Sequence, residues 1–212
     1  MRVTEAVVAQ NHERILETAA MLFRKKGIKQ TSLPEVMSQS GMTHGGFYRH
    51  FKSKNHLVAA ALQRCMDKTI ADLSPTRNML AGQELLDAFL EQYLCDRHLH
   101  NPHDGCAVVA LSSEVYRADS SIRDVYTDGI KRWIEVLADL LHGEAPARRQ
   151  TAIEIISTLV GTMMVARAVN DEALSQEFMR AAIDRVDDIL LPEGEDRALE
   201  PLKTHGVERH GI

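Results

Sequence analysis

The chain has 212 residues, 44% hydrophobic and 26% charged, with a formal net charge of −5. That length suits a small head and a larger body with a buried core, and leaves no need for a separate catalytic domain. The negative total argues against nucleic acid, but residues 1–70 carry eleven Lys or Arg against five acids, a net of +6 that leaves −11 on the rest. A basic head on an acidic body favours phosphate contact at one end only. No run of about 18 apolar residues stands out and no charged-then-apolar leader opens the chain, so neither a membrane span nor export is expected, and the protein is expected to be cytoplasmic. Cys65, Cys95 and Cys106 are an odd and sparse set for a stapled secreted domain.

In chain order, Ile15, Leu16, Ala19, Leu22 and Phe23 recur at helical spacing and predict an amphipathic helix over 8–26, ended by Gly27. Ser32 with Glu35 three positions on reads as a capping box. Pro34 falls in the first turn, where its missing N–H costs nothing, and Leu33, Val36 and Met37 form the buried stripe. Gly41 supplies the left-handed stop. Thr43 then caps a second short helix, whose Phe47 and Phe51 share an inward face while His44, Gly45 and Tyr48 lie outside, with Arg49 ambiguous. Gly45 and Gly46 each cost a helix about 1 kcal/mol against alanine. Close approach of the backbone to a phosphate or base edge is a reason to keep them.

Ser53 caps a fourth helix reaching Leu73, which Ser74-Pro75 breaks. Helical segments follow near 83–98, 107–117, 120–142, 146–170 and 172–190, and no strand-like alternation is seen. After Pro192 the acidic tail has no apolar period and is expected to lack order. The fold class is therefore all-α. A head over 1–53 and a connecting helix over 54–74 precede a body over 75–191 and a tail over 192–212.

The residues Phe23, Gly27, Thr31-Ser32, Gly41-Met42-Thr43, Gly45, Phe47-Tyr48, His50-Phe51 and Lys54 to Leu57 resemble the N-terminal domain of the TetR family of bacterial regulators. Over the rest of the chain the resemblance extends only to length and helical pattern. Two departures occur. Val36-Met37 stands where the family usually has Ile-Ala, a conservative repacking, and Asn55-His56 stands where acids are common, which makes the local field more positive. The resemblance implies a three-helix helix-turn-helix domain and a larger C-terminal domain for ligand binding and dimerisation. The implied function is a regulator, in most cases a repressor, which binds a palindromic operator in double-stranded DNA as a homodimer and is released by a small molecule.

Within the reading unit, Thr43, His44, Gly45 and Tyr48 are assigned to bases or adjacent backbone, because groups at the start of a recognition helix reach base edges. Thr31, Ser32, His50 and Lys54 are assigned to phosphates, which hydroxyls, helix N-termini and cations hold. By resemblance, the last two helices form the dimer interface through Ile155, Leu159, Met163, Phe178, Ala182 and Val186. Two-fold symmetry would then set two reading helices on successive major grooves. The cavity that the family implies between the central helices has Phe89, Tyr93, Cys106, Trp133, Met163, Met164 and Arg167 as candidates.

The run Cys95 to Cys106, with His98, His100, His103, Asp96 and Asp104, is dense in ligand types. It supplies the alternative of a redox- or metal-responsive regulator, although its spacing matches no metal motif and no metal or cofactor is assigned. Cys106 reads either as a sensing thiol or as a small buried hydrophobe. An enzyme is not expected, because no nucleophile-base-orienter set and no phosphate loop are found.

Overall fold

The computed structural model describes residues 5–74, 80 and 82–190, and among them every regular element is helical. The segment expected to lack order, 192–212, lies outside the described residues.

Helix α1 (Glu5–Lys26) buries Ile15, Leu16, Ala19, Ala20, Leu22 and Phe23, the stripe its spacing predicts. It stops where Gly27 turns to φ 89°, a conformation that favours glycine. The N-terminus of α2 (Leu33–Gln39) is capped by Ser32, whose hydroxyl accepts the Glu35 N–H at 3.3 Å. The predicted capping box is only half made, because the Glu35 carboxylate turns to Lys26 and Gln39 instead of returning to the cap. Gly41, at φ 73°, ends this turn.

The expected second helix of the pair is a 3-10 helix over His44–Arg49, and the Thr43 side chain makes no capping bond to it. Two adjacent glycines disfavour an α-helix, and the tighter winding still delivers Phe47 and Phe51 to the core, where they are 0% and 1% exposed. Each such ring removes enough apolar surface from water to contribute about 1.5–3 kcal/mol.

Helix α3 (Lys54–Asp72), capped by Ser53, packs against α1 on one side and on the other against α7 (Ser120–Asp139). Gly129 of α7 allows the close approach: a methyl there would sit 2.7 Å from Met66.

The single helix expected over 83–98 is two, α4 (Gly82–Tyr93) and α5 (Asp96–His100). The break has a local cause. A continuing helix would give the Tyr93 carbonyl to the Arg97 N–H, but the His98 ring takes that carbonyl at 2.7 Å while Cys95 caps the new helix. Helix α6 (Ala107–Val115) follows, then α7, α8 (Ala145–Ala168) and α9 (Glu172–Leu190). Trp133 of α7 is fully buried beside Phe89 and Tyr93 of α4 and marks the centre of the body.

Helix α8 is apolar enough to cross a membrane by length and composition, with a mean hydropathy of 1.3, which corrects the expectation that no such stretch exists. Its inner face packs on α7 and α9, and a core helix passes the same test.

Candidate nucleic-acid interface and effector cavity

The reading face is built from the inside. Phe47 and Phe51 lie under the surface with ring centroids 5.9 Å apart. Their anchorage leaves Thr43, His44 and Gly45 exposed, and Tyr48 is 68% exposed with its ring edge-on to Phe47. A core role for Tyr48 is excluded by that exposure. A methyl on Gly45 would meet nothing within 4 Å in the protein, so the fold itself does not demand a glycine there. Ser32 is exposed but spends its hydroxyl on the α2 cap, and His50 is half-buried.

Two assigned phosphate ligands are turned inward. Thr31 is 0% exposed, and its hydroxyl donates to the Gly27 carbonyl at 2.8 Å, closing the end of α1. Lys54 donates to the Ile28 carbonyl at 2.7 Å, and burial pulls its pKa down against the opposing pull of Glu114. A hydroxyl or ammonium beside the helix-turn-helix serves phosphate and backbone carbonyl equally well, so residue type alone does not separate the two roles. The exposed cations of the head, among the described residues, are Arg14, Lys25, Lys26, Lys29, Arg49 and Lys52.

The turn after α1 is gripped by the body. The Glu114 carboxylate of α6 accepts the N–H groups of Ile28 and Lys29, both at 2.9 Å. Arg24 reaches from α1 to the His103 carbonyl at 2.8 and 2.6 Å and to the Cys65 sulfur of α3. Asn55 bonds Asp119 across the same boundary. Sequence reasoning gave neither Arg24 nor Glu114 this role; an acid 86 and 85 residues from its two partners leaves no local pattern.

Directly behind the Arg24 contact lies a cavity of about 110 Å³. Phe89, Tyr93 and Cys106 line it, joined by Cys65, Lys68 and Asp72 of α3 and by Cys95, His98 and Asp104. Three of the residues assigned to a ligand cavity thus meet the Cys95–Cys106 run in one place, and every cysteine of the chain faces it.

Its walls are fixed by His98, whose Nδ1–H donates to the Tyr93 carbonyl while Nε2 accepts the Cys106 N–H at 3.0 Å. That pair of bonds requires the neutral ring, and burial accordingly lowers the His98 pKa. Burial pushes the Tyr93 hydroxyl well up, helped by Cys106 beside it, and among the described residues the hydroxyl has no oxygen or nitrogen to bond. The Cys65 thiol is raised by burial and lowered in part by the Arg24 guanidinium.

Four candidate ligand residues stand elsewhere. Trp133 and Met163 are 0% exposed behind the wall, and Met164 is on the outer surface of α8. Arg167 has no acidic partner among the described residues; it donates to the carbonyls of Leu99, at 3.0 Å, and His98, closing the end of α5. Among the described residues no three of His, Cys, Asp or Glu converge to hold a metal ion.

The assigned dimer residues also need correction. Ile155, Leu159, Met163, Ala182 and Val186 are at most 3% exposed within one protomer, so they have no surface left for a partner, and Phe178 is half-buried. The large apolar residues exposed on α8 and α9 are Met164, Val165 and Leu174.

A basic three-helix head with an exposed reading turn, on a helical body that grips its first loop, is the build of a helix-turn-helix transcriptional regulator. The family model for bacterial regulatory proteins of the tetR family matches residues 15–61, and that for the LmrA/YxaF-like transcriptional regulator C-terminal domain matches residues 82–181. The chain belongs to the TetR family of bacterial regulators. It is 24% identical over 218 residues to YerO, an HTH-type transcriptional regulator of Bacillus subtilis, covering 93% of this chain and 70% of YerO. With LmrA of the same organism it shares 25% identity over 172 residues, 77% of this chain and 90% of LmrA. The crystal structure of the reduced form of E. coli NemR has the same fold, with a TM-score of 0.74 at 22% identity, over 88% of this chain and all of that one.

Proposed function

We propose that the protein is a homodimeric repressor of transcription that holds a palindromic operator and is released when a small molecule occupies the body. It works by binding, in the cytoplasm where its DNA lies, and asks no chemistry of any side chain. The observation that carries this reading is the joint use of residues 101–106. They wall the cavity through Asn101, Asp104 and Cys106, and they hold α1 through the His103 carbonyl and Arg24.

The mechanism is linkage. A molecule that enters the cavity and prefers a different placement of this loop must also prefer a different placement of α1. In a dimer a shift of either head changes the spacing of the two reading turns. A coupling of about 1–3 kcal/mol, the usual range, lowers operator affinity roughly 5- to 150-fold. The family's regulators bind DNA and act as dimers, which supports the assembly.

Selection of bound duplexes from a randomised library, followed by fluorescence anisotropy, tests the reading. The selected site should be palindromic and should outcompete its scrambled form. Tyr48→Ala should weaken that preference by about 1–3 kcal/mol, the value of one good base contact. Equal binding of selected and scrambled duplexes would sink the proposal.

A further inference from the structure

Of the groove between α1 and the far end of the 3-10 helix, the reading face uses only His50, and the effector cavity uses nothing. Glu5, His12 and Glu13 of α1 line one side of it, and Arg49 and His50 the other. His12 lies stacked on Phe51, with ring centroids 4.5 Å apart and planes 19° from parallel, and its ring stands 6.0 Å from that of His50. Both imidazoles are half-buried, and neither has a hydrogen-bond partner among the described residues.

The charges around the pair set what the groove accepts. From the 3-10 helix Arg49 faces it with an exposed guanidinium. From α1 come two acids, of which Glu13 is engaged by Arg64 of α3 at 2.6 Å, while Glu5 is exposed at the rim. From α3, His56 meets the same Phe51 edge-on and accepts the Lys52 N–H at 3.3 Å, so its ring is already committed. In the free protein His50 is held below the ordinary histidine pKa, first by burial, then by His12 and Arg49. The groove is thus a place where positive charge is assembled but incompletely expressed, which is the condition an incoming anion reverses.

The DNA supplies that anion at the right distance. The six residues from His44 to Arg49, wound as a 3-10 helix at about 2.0 Å each, span roughly 12 Å, close to the width of the major groove. With the His44 end at base edges, the His50 end comes to the sugar-phosphate wall.

We propose that the groove seats one backbone phosphate of DNA, and that the His12–His50 pair takes up a proton as the phosphate enters. This rests on the DNA-binding function proposed above. It adds a contact from α1, outside the helix-turn-helix, and makes affinity rise as the pH falls below neutral. One proton taken up on binding changes affinity by at most about tenfold per pH unit.

A phosphate seat is indifferent to sequence, so the probe is a fluorescein-labelled duplex of arbitrary sequence, titrated with the intact protein at low and constant ionic strength. Between about pH 6 and pH 8, where histidine titrates, wild-type affinity should fall several-fold. His12→Gln and His50→Gln should bind weakly and without pH dependence, whereas His44→Gln should keep the slope. In the wild type, the His50 ring proton followed by NMR should titrate at a higher pH with the duplex than without it, a readout that needs no variant to fold. Binding independent of pH, or a slope that survives in both His12→Gln and His50→Gln, overturns the proposal. A duplex that is not bound at any pH overturns the DNA-binding function itself, and so the two failures are told apart.

Discussion

Two glycines define what side-chain space means in this molecule. A methyl on Gly105 would lie 2.6–2.7 Å from the His98 ring and 2.9 Å from the Arg167 guanidinium. The ring cannot move aside, being held at both nitrogens, so Gly105→Ala should cost about 1–3 kcal/mol, the range for overpacking a fixed site. Thermal unfolding would report this as a loss of several degrees, at roughly 2–4 °C per kcal/mol for a chain of this size. At Gly45 a methyl meets open space. Gly45→Ala should therefore leave the melting temperature unchanged or slightly raised, since alanine is the better helix former, while operator affinity falls. An unaltered affinity would show that the backbone at Gly45 does not approach DNA.

Between α4 and α5 the same histidine acts on a whole element. Because the His98 pKa is lowered in the folded chain by burial, the unfolded chain binds the proton more readily. The stability that depends on a neutral ring is then complete above the ordinary value of 6.5 and is lost as the pH falls below it. Melting temperatures measured from pH 7.5 down to about 5.5 should decline, and His98→Gln should start lower and decline less. The α1 turn makes a parallel case. Glu114→Gln leaves one acceptor oxygen for the Ile28 and Lys29 N–H groups and removes the charge, a loss of about 1.5–3 kcal/mol for a charged hydrogen bond. Faster amide exchange should be confined to residues near 27–31, and unchanged exchange there would mean that the body does not hold the head by this contact.

These elements also show where the sequence is legible. The extents of α1 and α3 follow from apolar spacing and from Gly27 and Ser53, signals carried within a few residues. The break before α5 is set by a ring reaching back five residues to a carbonyl, a competition that spacing cannot reveal. In the site, the exposed set Thr43, His44, Gly45 and Tyr48 was readable because burial of Phe47 and Phe51 forces it outward. Thr31 and Lys54 were not, because their partners are carbonyls of the protein itself.

In the whole molecule, α8 is apolar around much of its circumference, so that composition does not distinguish its inner side from its outer. Packing does: Ile155, Leu159 and Met163 are fully buried in the protomer, while Met164 and Val165 are each 41% exposed, with open space over Gly161 between the turns. A two-fold interface repeats every residue across its axis, so one substitution introduces two like charges. If the homodimer proposed above closes on this outer face, Val165→Glu should yield a folded monomer in sedimentation at concentrations where the wild type is a dimer. Its operator affinity should fall by about 10²–10⁴, the advantage that linked heads have over single ones. Leu159→Ala should do the reverse, costing about 2–5 kcal/mol of core stability while the folded fraction still dimerises. If Leu159→Ala dissociated the dimer and Val165→Glu did not, the partner would have to meet some surface other than the outer face of α8, and the spacing of the two reading turns would be set from elsewhere in the body.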